Sequence, residues 1–473
     1  MHTLNGACHW GMRQRVLAKC LRLLSGARLI ILACFLGMVI SATVAAAESQ
    51  KPNILFLFAD DQRADTVGAL GNKVIKTPTL DGLVKRGFVF HNAYCLGSNE
   101  PAVCAPSRNM LLSGRAFFRW TGRMAPPDQP NFPTSFRTAG YQTYHHGKKG
   151  NTALLIQEKF EINKYLVDDE AERRNGEPGK IIVDDAIAFL NQRDSKRPFC
   201  MYLAFGNPHD PRVAAQKYLD LYDRNQIPLP RNFLPLHPFN NGEQTVRDEQ
   251  LAPWPRTAEE IRKQLHEYYA VITAFDGHLG RLVETLRQQG LLENTIIVFS
   301  ADHGLAMGSH GLMGKQSLYE DSMKPPLIFA GPGIPQGNSD ALCYLLDLFP
   351  TFCELSGTPV PAGLDGLSLK PIITGQVKSV RSSLSCAYRN VQRSIRDERW
   401  KVIRYPQINK TQLFDLQTDP DEMNNLADDP AQAERVAGLL TRLSAWQQSF
   451  GDQQPLTVEK PQPQEWTPPR SAK

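Results

Sequence analysis

The sequence predicts an α/β fold in which a mainly parallel central sheet has helices on both faces, followed by a small C-terminal α+β subdomain. The first observation is a set of short apolar runs that are continuous rather than alternating, as is typical of strands buried on both faces of a parallel sheet. These runs lie at 54–58, 199–205, 295–300 and 327–330. Helical patterns lie between the runs, and the texture of the sequence changes after Gly375.

One helix is predicted over residues 258–289. Its apolar residues are spaced three or four positions apart, which places them on one helix face. They are Ile261, Leu265, Tyr269, Ile272, Phe275, Leu279, Leu282 and Leu286. By contrast, residues 208–256 are rich in proline and have little periodicity. A long irregular stretch inside a compact domain is usually a functional loop or a flexible insert.

The chain divides into four predicted segments. They are a signal peptide over 1–47, the main α/β domain over 48–375, the C-terminal subdomain over 376–452 and a disordered tail over 453–473. Within the C-terminal subdomain, strands are predicted in 394–405 and 412–416, and a final helix over 431–448. The tail is expected to be disordered because it contains five prolines and few apolar residues.

The first 47 residues have the pattern of a secretory signal peptide. A basic stretch precedes an uncharged apolar run over 29–47, and Val44-Ala45-Ala46-Ala47 offers small residues for cleavage before Glu48. A run of this length also approaches that of a membrane anchor. The well-placed small residues favour cleavage, so we expect a secreted or periplasmic protein with no stable membrane association after signal cleavage.

Charge and cysteine content exclude some classes of function. Residues 1–47 contain five of the 53 Lys and Arg residues and no acidic residue, so the rest of the chain has 48 basic and 48 acidic residues. This balance, without a basic cluster, argues against nucleic acid as a partner. Six of the nine cysteines lie after the leader, and their spacing matches no zinc pattern. Disulfides are possible in an exported protein, but no pairing is predicted.

Two pairs of polar residues follow predicted strands. Asp60-Asp61 follows the first strand, and Asp302-His303 follows the strand that ends near Ser300. The carboxyl ends of parallel strands meet at one edge of a sheet, where ligands bind. Three carboxylates so close together repel one another unless a cation lies between them. Oxygen ligands favour calcium or magnesium, although His303 leaves manganese and zinc open. Each pair alone is equally well explained as the start of a turn.

The segment Cys104-Ala105-Pro106-Ser107-Arg108 is the most specific in the chain. A lone cysteine is most often a buried structural thiol, but this one lies in Cys-x-Pro-x-Arg, the signature of type I sulfatases. Further blocks resemble that family in the same order. They lie at 52–63, 77–81, 112–115, 139–143, 299–304, 314–320 and 413–426. The resemblance covers residues 52 to about 450, nearly the whole chain after the leader.

The resemblance implies an alkaline-phosphatase-like fold and a sulfuric ester hydrolase. In type I sulfatases the motif cysteine, here Cys104, is oxidised to formylglycine by a formylglycine-generating enzyme. The hydrated aldehyde attacks sulfur with one hydroxyl and later expels sulfate by losing the proton of the other. One Ca²⁺ ion is implied, and the positions of this sequence that match its site are Asp60, Asp61, Cys104, Asp302 and His303.

Further site residues follow from the same resemblance. Arg108 matches the motif arginine, and Lys148 and Lys315 match the family lysines that contact sulfate. His209, in Asn207-Pro208-His209, is expected to donate a proton to the leaving alcohol, a role that suits imidazole. A lysine or a loop histidine is otherwise most often simply exposed to solvent.

One departure concerns Gly147-Lys148-Lys149-Gly150, because many sulfatases have histidine where this chain has Gly150. His145 or His146 is a possible replacement, and His146 is therefore a candidate substrate-binding residue. Asp302-His303 differs from the commoner Asp-Asn pair and, with Cys-Ala-Pro-Ser-Arg, resembles iduronate-2-sulfatase-like members.

Three functions remain open from the sequence. The favoured one is removal of sulfate from a sulfated polysaccharide or oligosaccharide. The second is hydrolysis of a phosphoester or phosphonate, as in other members of the superfamily. The third is binding of a sulfated glycan without catalysis, which the glycine at position 150 keeps open. The substrate sugar, the sulfate position and the oligomeric state are not predicted.

Overall fold

The computed structural model describes residues 51–469, so the predicted signal peptide lies outside the described residues. The strands are β1 (Asn53–Ala59), β2 (Phe88–Tyr94), β3 (Gly97–Ser98), β4 (Gln142–Gly147), β5 (Ile162–Tyr165), β6 (Phe199–Ala204), β7 (Thr295–Ala301), β8 (Leu327–Ala330), β9 (Gly337–Tyr344), β10 (Leu384–Tyr388), β11 (Gln392–Arg396), β12 (Trp400–Tyr405) and β13 (Lys410–Asp415). Within the same residues, no helix is long and apolar enough to cross a bilayer.

The helices connect and cover these strands. They are α1 (Pro78–Arg86), α2 (Cys104–Ser113), α3 (Phe132–Thr138), α4 (Leu154–Gln157), α5 (Asp169–Arg174), α6 (Lys180–Gln192), α7 (Gln216–Leu219), α8 (Ala258–Gln288), α9 (Glu320–Met323), α10 (Leu348–Ser356), α11 (Lys370–Ile373) and α12 (Ala433–Phe450). The four predicted strands and the predicted helix over 258–289 are present within one or two residues of their expected bounds. At the start of α8, Thr257 accepts a hydrogen bond from the amide of Glu260, which is a typical N-cap.

The large sheet has eight strands in the order β5-β4-β6-β1-β7-β8-β2-β9. β8 pairs antiparallel with both β7 and β2, and the other pairings are parallel. The prediction of a mainly parallel sheet is therefore confirmed. Since β1 lies between β6 and β7, its carboxyl end is at the centre of the sheet edge where parallel strands finish.

Both faces of the large sheet are apolar. Along β1, Ile54, Phe56 and Phe58 pack into one cluster, whereas Leu55 and Leu57 pack into the other. The first cluster also contains residues of α2, α3 and α10, and the second contains residues of α1, α6 and α8. Side chains alternate between the faces of a strand, so two covered faces require the continuous apolar runs seen in the sequence.

Several strands lack a continuous apolar run and were not predicted. β4 contains His145 and His146, both buried, and β9 begins with exposed polar residues at the sheet edge. His145 and His146 are buried because His145 hydrogen-bonds Asn163 and His146 lies against Asp185, both in neighbouring elements. Such a partner is distant in sequence, which is why periodicity did not reveal these strands.

The small sheet has the order β13-β12-β11-β10-β3, and α12 packs on it through Leu439 and Leu443. The predicted C-terminal strands and helix are therefore present. β3, however, comes from the main domain, only six residues before Cys104, and pairs with β10 at Ser98 and Tyr388. This pairing ties the small sheet to the segment that leads into α2. The boundary proposed at residue 375 stays a prediction.

The proline-rich end of the chain differs from the expectation of disorder over its described part, 453–469. Arg404 Nε donates to Leu456 O at 2.6 Å, Asn409 Nδ2 donates to Val458 O at 2.7 Å, and Asn240 N donates to Gln464 O at 2.7 Å. Proline removes a backbone donor but leaves carbonyl acceptors. An extended segment can thus dock through its carbonyl groups without joining a sheet.

The six cysteines in the described residues are all buried and none forms a disulfide. The question of pairing that the sequence left open is therefore answered for residues 51–469.

Candidate functional site

The predicted site residues follow four adjacent strands of the large sheet. Ala59 at the end of β1 pairs with Ala301 at the end of β7, so Asp60-Asp61 and Asp302-His303 start side by side. On the other side, Gly147 of β4 pairs with Ala204 of β6, which places Lys148 near the loop that carries His209. The parallel register thus gathers residues that are up to 243 positions apart at one edge.

Five side chains form a buried group at this edge. Ligand atoms of Asp60, Asp61, Cys104, Asp302 and His303 all lie within 4.8 Å of one another. His303 Nδ1 donates to Gly304 O at 2.8 Å, which leaves Nε2 as an acceptor 3.3 Å from Asp61 Oδ1. A carbonyl that accepts from one ring nitrogen is the usual way of directing the other nitrogen of histidine toward a metal.

The chemistry of this group fits a divalent cation. Three carboxylates converge, and Asp60 Oδ1 is buried without a hydrogen-bond partner among the described residues. Burial alone would raise the pKa of Asp60, but Lys148 and Arg108 outweigh burial and hold its pKa well below the ordinary value. Ionised oxygen ligands suit calcium or magnesium, and the nitrogen of His303 also suits manganese or zinc. The ion that would bind here is therefore not identified.

Cys104, a member of this group, is the first residue of α2. Its Sγ atom is 3.3 Å from His303 Nε2, 3.3 Å from Lys315 Nζ and 3.8 Å from Asp61 Oδ1. Burial, together with the charge of Asp60, raises the pKa of the Cys104 thiol well above its ordinary value. A buried neutral thiol is a poor nucleophile. The unmodified cysteine is therefore in the wrong chemical form for nucleophilic attack.

Arg108 lies one helical turn after Cys104 and is fully buried. Its Nε atom donates to Asp302 Oδ2 at 3.0 Å, and its Nη2 atom donates to Ala59 O at 3.3 Å and to Phe205 O at 3.4 Å. These bonds connect the ends of three strands. Arg108 therefore links Asp302 to the backbone at the ends of β1 and β6.

Two buried lysines, Lys148 and Lys315, contact carboxylates of the buried group. Lys148 Nζ forms an ion pair with Asp60 Oδ2, and Lys315 Nζ lies 2.7 Å from Asp61 Oδ1. Burial would lower the pKa of Lys315, but Asp61 and the other nearby acidic groups raise it well above the ordinary value. The Lys315 ammonium group is therefore charged, and it lies 3.3 Å from Cys104 Sγ.

His209 also faces the group. Its Nδ1 atom donates to Asp210 O at 2.6 Å, and its Nε2 atom lies 3.9 Å from Asp61 Oδ2. The side chain is 16% exposed, so it borders both the buried group and solvent. A histidine in this position can pass a proton between a bound ester and water.

His146 is the one predicted site residue that the structure does not bring to this group. Its Nδ1 atom lies 3.3 Å from Asp185 Oδ2 on α6, whereas His145 points to the opposite face and hydrogen-bonds Asn163 and Gln157. Burial lowers the pKa of His145 to about 3 and that of His146 to about 4. Adjacent strand residues face opposite sides, and both sides are covered here. Neither histidine replaces the family histidine missing at Gly150.

The loop over residues 208–256 contributes residues that sequence reasoning missed. Asp248 Oδ2 lies 3.9 Å from Lys315 Nζ and accepts from Gln316 Nε2 at 2.8 Å. Glu249 accepts from the amides of Met313 and Gly314, which come directly before Lys315. The charged run at 247–249 inside a proline-rich loop was the available signal, but its contacts are long-range.

The comparisons with known proteins agree with this geometry. The model of the family described as Sulfatase matches residues 52–358, and the model described as N-sulphoglucosamine sulphohydrolase, C-terminal, matches residues 308–449. An N-acetylglucosamine-6-O-sulfatase of Bacteroides thetaiotaomicron is 27% identical over 86% of this chain and 88% of its own length. A choline-sulfatase of Rhizobium meliloti is 30% identical over 80% of this chain and 83% of its own length.

A solved structure has a similar fold over most of this chain. It is described as BT4656 in complex with its substrate D-glucosamine-2-N,6-O-disulfate, and it is 26% identical with a TM-score of 0.73. The match covers 86% of this chain and 99% of that chain. The first family model spans more than half of the chain, and it includes every residue of the buried group. The chain therefore belongs to the type I sulfatase family of sulfuric ester hydrolases, within the alkaline phosphatase superfamily.

Proposed function

We propose that this protein removes sulfate from a sulfated carbohydrate, using formylglycine made from Cys104 and one divalent cation, with calcium as the first candidate. The observation that carries the proposal is the placement of Cys104 Sγ beside Lys315 Nζ, His303 Nε2 and Asp61 Oδ1. A sugar substrate is supported by the relatives named for glucosamine sulfates. The finer resemblance to iduronate-2-sulfatase-like members stays a prediction.

The cation and the modified residue have defined places in this proposal. Asp60, Asp61, Asp302 and His303 would hold the cation, which supplies positive charge to acidify a hydroxyl and to polarise the sulfate. Formylglycine would supply two hydroxyls on one carbon at position 104. Export to the periplasm or beyond and maturation by a formylglycine-generating enzyme are part of the same proposal.

The residues around position 104 have separate roles in the proposed reaction. Lys148 and Lys315 bind the sulfate oxygens and balance the charge that shifts onto them as the ester bond breaks. His209 gives the Nε2 proton of its imidazolium form to the oxygen of the leaving alcohol, while Nδ1–H stays bonded to Asp210 O. Arg108 keeps Asp302 and the strand ends in place. The residue that takes the proton in the second half of the reaction is not assigned, because Gly150 has no side chain and His145 and His146 are engaged elsewhere.

The geometry also weighs against a two-metal phosphoester hydrolase. A second group, Asp61 with His209 and Asp210, has its ligand atoms within 4.8 Å of one another. Only Asp61 is shared with the first group, and Asp210 already has a cationic partner, since Arg247 bonds both of its oxygens. The Arg247 guanidinium thus lies where Asp210 would bind a second metal.

The experiment that tests this proposal compares 4-nitrophenyl sulfate, 4-nitrophenyl phosphate and phenylphosphonate monoester as substrates of protein produced with a formylglycine-generating enzyme. The sulfate ester should be turned over fastest, and Cys104→Ala should lower kcat by at least about a thousandfold. Faster turnover of a phosphorus ester would replace the proposal with the second function.

Mass spectrometry and metal analysis complete the test. The peptide that contains Cys104 should carry an aldehyde in the active preparation, and chelation should remove activity that calcium restores. Recovery with manganese or zinc but not calcium would reject calcium. An unmodified Cys104 together with binding of a sulfated glycan but no turnover would favour the non-catalytic function.

A further inference from the structure

Asp210, Arg247 and Asp248 form a cluster at the mouth of the site, here called the rim triad. Arg247 Nη1 donates to Asp210 Oδ1 at 2.8 Å and to Asp248 Oδ1 at 2.9 Å, and its Nη2 atom bonds Asp210 Oδ2. The Arg247 side chain is 59% exposed, whereas the two carboxylates are only 9% exposed. The triad is therefore a fixed, solvent-facing polar surface rather than a flexible ion pair.

The rim triad joins the two sides of the sulfate site. Asp210 O accepts the hydrogen bond from His209 Nδ1, and Asp248 Oδ2 lies 3.9 Å from Lys315 Nζ. His209 is the proposed proton donor to the leaving group, and Lys315 is a proposed sulfate contact. A group that leaves from the bound sulfate must therefore pass beside the triad.

The charges of the rim triad are already balanced. Burial would raise the pKa of Asp210 and Asp248, but Arg247 for the first and Lys315 for the second hold each pKa below its ordinary value. Both carboxylates are thus ionised at neutral pH. Arg247 neutralises one of them, and Arg212, which lies over the Tyr268 ring on α8, adds a second positive charge near Asp210. Within the triad itself, one guanidinium is shared by the two carboxylates.

The rim triad still has unused hydrogen-bond donors and acceptors. A guanidinium group has five N–H donors, and three of those of Arg247 are used within the triad. Each carboxylate oxygen can accept more than one hydrogen bond. A sugar hydroxyl donates and accepts at once, so it matches a surface that offers a guanidinium beside carboxylates. An aryl or alkylammonium leaving group has no such hydroxyl.

We infer that the rim triad binds ring hydroxyl groups of the sugar next to the scissile sulfate and so selects polyol surfaces over aryl groups. This inference rests on the proposed function and names the recognition element of the same site. A site that hydrogen-bonds a hydroxyl group discriminates against analogues that lack the hydroxyl.

The test begins with the mature enzyme, 4-nitrophenyl sulfate and a panel of sulfated monosaccharides. The panel contains the 6-sulfates of N-acetylglucosamine and galactose, galactose 4-sulfate and an unsaturated hexuronate 2-sulfate. At least one sugar should have a kcat/KM that exceeds that of the aryl sulfate by about tenfold or more. If the aryl sulfate is hydrolysed and no sugar is preferred, the inference is wrong and the sulfatase function stands. If neither class is hydrolysed, the proposed function itself fails.

The second step is Arg247→Lys, which keeps the charge but removes the planar fork. With the preferred sugar, kcat/KM should fall by about 10- to 100-fold, the loss expected for hydrogen bonds to charged groups, and with the aryl sulfate it should change by less than about threefold. Arg287→Lys, at a similarly exposed ion pair on α8, is the matched control and should affect neither substrate.

A deoxy analogue separates direct binding from positioning. Removal of the hydroxyl next to the sulfated carbon should lower kcat/KM of the wild type about tenfold or more. It should lower kcat/KM of Arg247→Lys much less, because that variant has already lost the guanidinium that binds the hydroxyl. Equal losses on sugar and aryl substrates, or an equal cost of deoxygenation in both enzymes, would overturn the inference. Those results would mean that the triad only holds His209 and Lys315 in place.

Discussion

At the scale of single residues, His209 and His146 lie on or just after neighbouring strands but have different partners. His209 Nε2 faces Asp61, whereas His146 lies against Asp185 on α6. The pleat of β4 sends His145 to one covered face of the sheet and His146 to the other, so neither imidazole reaches the site at the carboxyl edge. His209 reaches it because it lies in the loop that follows β6.

This difference gives the first prediction. His209→Gln should lower kcat on a sulfated sugar by about 10²- to 10⁴-fold, because the leaving alcohol loses its proton donor. The loss should be smaller with 4-nitrophenyl sulfate, whose leaving group needs less protonation. His146→Gln should leave kcat within about twofold of the wild type, since its partner is Asp185. Equal losses in both variants on the sugar substrate would contradict the assignment.

At the scale of elements, the loop over residues 208–256 positions Lys315, which lies outside the loop. Glu249 accepts from Met313 N at 2.9 Å and from Gly314 N at 2.8 Å, and it forms an ion pair with Arg256 at 2.7 Å. Lys315 follows directly. The loop therefore fixes the backbone that carries a sulfate contact.

The second prediction follows from that contact. Glu249→Ala should lower kcat/KM for 4-nitrophenyl sulfate by about tenfold or more, because the segment before Lys315 loses its acceptors and the freed amides are left unpaired. Glu249→Gln keeps an acceptor and should retain more activity. Thermal unfolding of both variants, followed by circular dichroism, shows whether the loss reflects positioning. A Glu249→Ala enzyme with wild-type kcat/KM would rule out this role.

The two sheets meet at a buried ionic cluster that joins elements from both. Lys401 of β12 lies 2.8 Å from Glu320 Oε1 and 2.8 Å from Glu422 Oε1, and Arg396 of β11 also contacts Glu320. Glu320 begins α9, which belongs to the large domain. Buried charges are tolerated here only because each has a partner.

The third prediction concerns this cluster. Lys401→Met should reduce the free energy of unfolding by about 3 kcal/mol, because two buried carboxylates lose their shared cation. Adding Glu422→Gln should restore part of the loss, because one unpaired charge is then removed. Urea unfolding of the single and double variants measures both effects. Arg442→Met, at a more exposed pair with Asp397, is the control and should cost less than about 1 kcal/mol.

At the scale of the whole molecule, ion pairs between distant segments make stability depend on pH. Asp452, which follows α12, accepts from Arg393 Nε at 2.7 Å and Nη2 at 2.9 Å. Burial would raise the pKa of Asp452, but the hydrogen bonds from Arg393 hold it below the ordinary value. Asp321 is held below its ordinary value in the same way by Arg63.

The fourth prediction is loss of stability in acid. A carboxylate whose pKa is lower in the folded state stabilises the protein fully above its unfolded pKa of about 4, and this contribution disappears as the pH falls through the folded pKa. The melting temperature should therefore decline below about pH 4. Asp452→Asn should cost about 1–3 kcal/mol at pH 7 and progressively less in acid. A difference between wild type and variant that does not change from pH 7 to pH 3 would contradict this linkage.

Much of this protein is determined by its sequence alone, namely the apolar strands, the long helix and the set of residues that form the buried group. These features depend on local periodicity and on motifs with fixed spacing. Only the tertiary structure decided that His146 faces α6, that Asp210, Arg247 and Asp248 meet at the rim, and that residues 453–469 dock on the body. Such contacts join residues far apart in the chain, so they arise from register and packing.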